Sequence, residues 1–246
     1  MHILAKETSE YNELTVCEVS ELFGEMGKFR CLKFADEAVQ GAMDLRNPRR
    51  IVLPYQRAVI RLLETIDPSF DTAFIIGHGI GTIAGHYPNK KLVVAEIDEK
   101  VVELSRRYFD YRLDNVTVGD GREVLAEQST NIYDHIVVDA FTHKGTPMAL
   151  STLEFFRLAE EKLDPDGTII MNLFGKPKND TRINAIHTTL GEVFGHTAAY
   201  WMPEGTSDAG NIILVGSNRE MDGLPVPLDE FKPVSLEQGH MLMDPR

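Results

Sequence analysis

Three glycines, Gly77, Gly79 and Gly81, follow the apolar run "TAFII", and the carboxylate Glu96 ends the next apolar run nineteen positions after the first of them. Glycines at the mouth of a strand permit a tight turn and let the backbone approach a ligand, while the helix that follows offers unpaired N–H groups. A carboxylate at the end of the second strand can accept both hydroxyls of a ribose. Two more acids leave later runs: Asp120, within Gly119-Asp120-Gly121, is placed to meet the exocyclic amine of an adenine, and Asp139 ends "YDHIVVDA". Carboxylates at successive strand ends converge on the crevice where open α/β sheets bind ligands. The chemistry is recognition of a nucleoside.

The donor class follows from spacing. The glycines read G-x-G-x-G, the third falling one place too early for the dinucleotide fingerprint G-x-G-x-x-G. Together with the acids after successive strands, this favours group transfer from an S-adenosylmethionine-type donor over hydride transfer from NAD. Each acid also has a structural alternative, since Asp98 and Asp120 both stand where helix N-caps are expected.

The elements that position these residues are legible in periodicity. Residues 1–50 hold short β-like runs, "NELTVCEV", "FRCLKF" and "EAVQGAM", expected to form a small antiparallel segment. From Tyr55 the apolar residues recur at helical spacing until Asp67-Pro68. From Thr72 strands and helices alternate: "TAFIIG", "KLVVAEI", "NVTVGD", "DHIVVDA" and "GTIIMNLF", with helices opening near Gly81, Asp98, Gly121 and Ser151. Near-continuous apolar strands require cover on both faces. The expected fold is therefore α/β, a doubly wound, mostly parallel sheet of the class I S-adenosylmethionine-dependent methyltransferase type. "TRINAIHTTLGEVF" reads as a further helix, and "TAAYWM" with "GNIILVGS" as a closing edge hairpin, with Tyr200 and Trp201 in core packing. The expected parts are an N-terminal β segment (1–50), a Rossmann-like nucleoside-binding catalytic domain (51–222) and an extended C-terminal tail (223–246).

A formal charge of −13 over 246 residues, with a pI near 5.0, disfavours nucleic acid as a partner and suits a small cationic substrate. Cys17 and Cys31 match no metal spacing and read as buried thiols; no metal is expected. The chain has no run of about eighteen apolar residues and no secretory leader, so no membrane association and a cytoplasmic location are expected. Arg49, Arg50 and Arg57 read as a solvated face.

Several separated motifs resemble the polyamine aminopropyltransferases, of which spermidine synthase is the type. "VAEIDEKVVELSRRYF" is similar to the family's "VEID…V…S…YF", "GDGREVL" to its "GDG…FL", and "YDHIVVDAF…TP…L…EFF" to its "YD.I..D…P…L…EFY". The resemblance runs from about Tyr11 to Phe174 and includes the pair Tyr55-Gln56. It implies that Glu96 holds the ribose of decarboxylated S-adenosylmethionine and Asp120 the adenine, over the turn of Gly77, Gly79, Gly81 and the helix start at Gly121. Asp139 would accept a proton from the attacking amine with Tyr55 beside it, while Gln56 and Gln40 match family glutamines near the donor. The implied reaction moves an aminopropyl group to a diamine such as putrescine, releasing methylthioadenosine. The resemblance and an edge-prone N-terminal β segment also imply a homodimer.

The departures carry information. The family's Gly-Gly-Gly-Asp-Gly-Gly loop uses its Asp to hold the donor's ammonium, and here Ile80 stands in that place; a second family acid is replaced by Thr142. The chain is thus similar to a divergent bacterial branch. Two alternatives stand beside aminopropyl transfer: a methyltransferase using intact S-adenosylmethionine, and a nucleoside-binding homologue without turnover. His78 and His143 are weighed as replacements for the missing acids; His78, between two glycines at a helix start, is expected to donate hydrogen bonds or stand exposed.

Overall fold

The N-terminal segment folds as a four-stranded antiparallel sheet of β1 (His2–Thr8), β2 (Glu13–Leu22), β3 (Glu25–Lys33) and β4 (Val39–Asp44), in sequential order. The structure is a computed structural model that describes residues 1–245 other than 36–37, 143–144, 204, 206, 222–223 and 225–227. Strand β1 was not expected from the sequence, because an edge strand with largely exposed side chains leaves no clean apolar alternation. Phe23 and Gly24, both at positive φ (51° and 78°), make the tight turn between β2 and β3. Cys17 and Cys31 sit opposite one another on those strands, buried and not joined by a disulfide, and burial pushes Cys31 up to about 12.

Helix α1 (Pro54–Ile66) begins with proline in its first turn, where the missing N–H costs nothing, and ends at Asp67. The expected solvated arginine face is partly wrong. Arg50 pairs with Glu25 and Asp44, and Arg57 donates to the Ile51 and Val52 carbonyls (3.1 and 2.7 Å) while pairing with Glu230 (2.6 Å), so both tie segments together.

After α1 the chain alternates: β5 (Thr72–Ile76), α2 (Thr82–His86), β6 (Lys91–Glu96), α3 (Glu99–Tyr108), β7 (Val116–Val118), α4 (Gly121–Ala126), β8 (Tyr133–Val138), a 3-10 turn at Met148–Leu150, α5 (Leu153–Lys162), β9 (Leu163–Gly175), α6 (Thr181–Val193), β10 (His196–Pro203), β11 (Gly210–Ser217) and β12 (Lys232–Pro233). The sheet order is β12-β10-β11-β9-β8-β5-β6-β7; β7 through β9 run parallel and β11 enters antiparallel. This is the doubly wound order of a class I methyltransferase-type sheet. The winding reverses between β5 and β8, which opens a crevice beyond their carboxyl ends. Gly77 and Asp139 follow those two strands directly. The expected edge hairpin of β10 and β11 forms, but β10 is not the edge: the tail adds β12 beside it. The tail is further fixed by buried Phe231, by the Leu153 N–H to the Leu242 carbonyl (2.8 Å) and by the Arg122–Asp244 pair (2.6 Å).

Alternate side chains of the central strands feed two cores. Phe74, Ile76, Ile136, Val138 and Met171 pack on one face with Phe155 and Phe156. Ala73, Ile75, Val137 and Ile170 pack on the other with Val59, Leu62 and Leu63 of α1. Tyr200 is buried and Trp201 packs against the first core.

The N-terminal sheet docks on the glycine turn through Ile80. That side chain is 6% exposed and packs with Leu14, Val16, Leu32, Val101 and Leu104; a Cβ on Gly41 would lie 2.5 Å from it. The position occupied by an acid in the family is thus an apolar seam. Ile80→Ala is expected to cost about 2–4 kcal/mol by cavity formation. Ile80→Asp should cost more, because it desolvates an unpaired charge. Urea denaturation reads both, and an Ile80→Asp protein as stable as the parent would refute the packing role.

Candidate active site

The glycine turn is shaped by contacts that exclude side chains. Gly77 has φ 97°, and a Cβ there would collide with the Asp139 carbonyl oxygen, so the first turn can close on β8 only with glycine. Gly79 has φ 55°, and the space where its Cβ would lie is bounded only by the Gln40 carbonyl oxygen, 3.3 Å away. Gln40 therefore reaches the turn through its backbone, from β4. Gly81 caps α2 in the left-handed conformation, and Gly121 lets α4 pack closely against Ile76.

Glu96 stands at the end of β6 with its carboxylate across this turn. Its Oε2 accepts the His78 backbone N–H (2.8 Å) and its Oε1 the Asp98 backbone N–H (3.0 Å). Burial raises its pKa, and the backbone N–H groups of Asp98, His78 and Gly79 pull it back. A carboxylate has about four acceptor sites, so these backbone donors leave it capacity to accept from a ribose hydroxyl. The adjoining strand end is tied on by the Gly119 N–H to the Glu96 carbonyl (2.9 Å). Asp120, next in sequence, caps α4: Oδ1 accepts from the Arg122 and Glu123 N–H groups (2.8 and 3.1 Å). Capping uses one oxygen, so capping and ligand binding are compatible duties for this side chain. Asp98 caps α3 and also accepts from Ser9 Oγ (2.5 Å), which fastens the β1–β2 turn to the same edge.

Asp139 follows β8, its N–H bonded to the Ile76 carbonyl (2.8 Å). Burial pushes its carboxyl up to about 6, against hydrogen bonds from Asn172 and Tyr55 that lower it. Asn172 Nδ2 donates to Oδ1 at 2.9 Å, and Asn211 Nδ2 donates to Asn172 Oδ1 at 3.0 Å. The Tyr55 phenol is held well above its ordinary value by burial and by Asp139. Gln56 Nε2 donates to the Tyr55 hydroxyl oxygen (3.2 Å). A small cavity lined by Gln56, Gly77, His78, Gly81 and Asp139 joins this group to the glycine turn.

Asn172 and Asn211 were missed from sequence. The available signal was a polar residue inside the apolar run "GTIIMNLF", where a buried amide must find partners. Of the two expectations for His78, exposure fails: it is 8% exposed, its Nε2 lies 2.7 Å from Ser105 Oγ, a contact in which it can donate, and its ring stands edge-on to Tyr111, centroids 4.5 Å apart. Thr142 turns its hydroxyl to the Gly145 carbonyl (2.9 Å). His143 lies outside the described residues. Among the described residues no cluster of three His, Cys, Asp or Glu could hold a metal, and no helix is long and apolar enough to cross a membrane.

The surroundings fit a nucleoside with a polar substituent. The turn is a cradle that side chains would fill, an acceptor pair faces it at Glu96, and Gln56 and His78, which line the cavity, each have a buried polar atom, Oε1 and Nδ1, without a partner among the described residues.

Comparison with known proteins bears on family and fold. Residues 53–221 match the family model of the spermine/spermidine synthase domain. A probable polyamine aminopropyl transferase of Bifidobacterium longum is 37% identical over 132 residues, 51% of this chain and 29% of that protein. A polyamine aminopropyltransferase of Vibrio vulnificus is 29% identical over 227 residues, 87% of this chain and 71% of that one. The chain thus spans less than a third of the first relative and under three quarters of the second. In fold it resembles the crystal structure of a probable spermidine synthase from Corynebacterium glutamicum, with a TM-score of 0.81 at 22% identity over 95% of this chain and 91% of that one. With two thirds of its length matched by the family model, and the glycine turn, Glu96, Asp120 and Asp139 all inside the match, this chain belongs to the spermine/spermidine synthase family.

Proposed function

We propose that this protein is an aminopropyltransferase that moves the aminopropyl group of decarboxylated S-adenosylmethionine to a small diamine such as putrescine. The observation that carries the proposal is Asp139: a desolvated carboxylate, oriented by Asn172 and Tyr55, in one cavity with the glycine turn that Glu96 braces. Curated relatives bear the name of this activity.

The donor supplies an electrophilic methylene next to a sulfonium. An amine nitrogen attacks that carbon, the C–N bond forms as the C–S bond breaks, the bonding pair passes to sulfur, and methylthioadenosine leaves. Glu96 binds the ribose hydroxyls and Asp120 the adenine amine in this reading, which fixes the methylene relative to Asp139 and supplies the orientation on which displacement depends. An alkylamine is protonated at neutral pH, with a pKa of about 10. Asp139 takes a proton from the nucleophile, and its raised pKa makes it a stronger acceptor than an ordinary carboxylate while leaving it ionised above neutrality. Tyr55, which donates to Asp139, fixes the carboxylate. Ile80 favours methyl transfer from the intact donor in one respect, since it removes an acid that would repel the donor's carboxylate; the same nucleoside seat would serve.

Incubation with decarboxylated S-adenosylmethionine and a panel of diamines tests the proposal directly. Methylthioadenosine should appear in stoichiometry with aminopropylated amine, and a protein that binds the donor but turns over with no amine would contradict it. Asp139→Asn should lower kcat at least 100-fold while shifting the Kd for methylthioadenosine less than twofold, measured by calorimetry. Because the base works when ionised, and its carboxyl titrates at about 6, kcat/KM should hold above neutrality and fall as pH drops through 6. A flat profile down to pH 5 would remove Asp139 from the role. Asn172→Leu withdraws a hydrogen bond from the charged form, so the Asp139 carboxyl should titrate at higher pH, read by carbon-13 NMR of the carboxyl; an unchanged or lower midpoint would refute the contact.

A further inference from the structure

His78 and Gln56 each carry a buried polar atom without a partner among the described residues, and the contacts around them are consistent with one assignment of hydrogens in which both atoms are acceptors. Ser105 Oγ lies 2.9 Å from the Val102 carbonyl, which can take its single hydrogen, and 2.7 Å from His78 Nε2. With that hydrogen on the carbonyl, Ser105 accepts from a protonated Nε2 and Nδ1 is a bare lone pair, and this is the tautomer on which the proposal rests. Burial, with Arg106 adding to it, pushes the imidazole down to about 4, so it stays neutral. The same logic settles Gln56. Tyr55 gives its hydroxyl proton to Asp139, so the Tyr55 oxygen accepts, and the amide atom facing it at 3.2 Å is Nε2. Gln56 Oε1 is left buried and unpaired.

Both residues line the same small cavity as Asp139, and they are 8% and 4% exposed. In this assignment the unpaired side-chain atoms of the residues that line it are acceptors, a ring nitrogen and an amide oxygen, beside the Asp139 carboxylate. A buried acceptor without a donor is costly, and a ligand that brings N–H groups recovers that cost. A primary ammonium presents three donors and no acceptor, whereas an α-carboxylate presents acceptors alone.

We propose that His78 Nδ1 and Gln56 Oε1 form a subsite for a primary ammonium group, replacing with two neutral acceptors the acid whose place Ile80 has taken. The assignment of its natural occupant, the terminal ammonium of the aminopropyl donor, rests on the function proposed above; the distal ammonium of the diamine is the other source of the same chemistry. The subsite also separates donors, since it attracts the decarboxylated form and repels the intact one.

The tautomer is tested first, on the unliganded protein, by nitrogen-15 NMR of the imidazole. His78 should show a protonated Nε2 and an unprotonated Nδ1; a proton on Nδ1 overturns the proposal. Calorimetry then compares parent, His78→Leu and Gln56→Met with three nucleosides: methylthioadenosine, which lacks the ammonium, decarboxylated S-adenosylmethionine and the intact donor. Each variant should weaken the decarboxylated donor about tenfold and methylthioadenosine less than twofold, and the parent should bind the intact donor at least tenfold more weakly than the decarboxylated one. Equal losses for methylthioadenosine and the decarboxylated donor would show a merely structural role and sink the subsite. A loss confined to putrescine binding in the presence of methylthioadenosine assigns the ammonium to the acceptor and keeps it. If the parent binds no nucleoside, the aminopropyl reading fails by itself. Propylamine and putrescine then decide: a ligand-dependent shift of the His78 Nδ1 resonance upholds the ammonium subsite, and no shift overturns it.

Discussion

The backbone N–H groups of His78 and Asp98 hold the Glu96 carboxylate across the mouth of the central sheet. One donor comes from the glycine turn after β5, the other from the N-cap of α3, so a single side chain locks two neighbouring strand exits into one geometry. The rest of the site is arranged about that lock. Gly77 closes on Asp139 because it has no side chain, Gly119 bonds to the Glu96 carbonyl, and Asp120 continues from there into the cap of α4. Charged-group hydrogen bonds of this kind are stronger than neutral ones, and they cost little reorganisation when a ligand arrives.

The N-terminal sheet acts on the same edge by a different force. Ile80 leaves the glycine turn and enters an apolar cluster with Leu14, Val16 and Leu32, while Ser9 bonds to Asp98 and Arg30 donates to the Tyr108 carbonyl at 2.7 Å. An acid at position 80 would be desolvated by this seam. The neighbouring His78 is buried, its imidazole is pushed down to about 4, and its Nε2 lies against Ser105 Oγ, which is the geometry behind the ammonium subsite proposed above.

Much of this was legible in the amino acids. Parallel strands covered on both faces read as unbroken apolar runs, so β5, β6, β8 and β9 announce themselves, and the acids that end β6 and β8, Glu96 and Asp139, fall where a doubly wound sheet opens. Cap and ligand were both legible readings for Asp98 and for Asp120; each caps its helix, and Asp120 does so through one oxygen, which leaves the other for a ligand. What stayed hidden depends on partners far apart in sequence. Strand β1 is an exposed edge, and β12 is two residues held by cross-strand pairing with Tyr200 and Trp201. Asn172 and Asn211 acquire meaning only when β9 and β11 pair. His78 looks exposed between two glycines, and only the fold covers it with Tyr111 and supplies Ser105 from α3.

The account stands on Glu96 as the seat of a nucleoside, with Asp120 at the purine end and Asp139 at the reacting end. A crystal structure of this protein with methylthioadenosine tests that most directly. The account predicts both ribose hydroxyls within hydrogen-bond distance of the Glu96 carboxylate, the adenine amine at Asp120, and the sulfur facing Asp139. A nucleoside seated away from Glu96, or one whose sulfur faces away from Asp139, would contradict it.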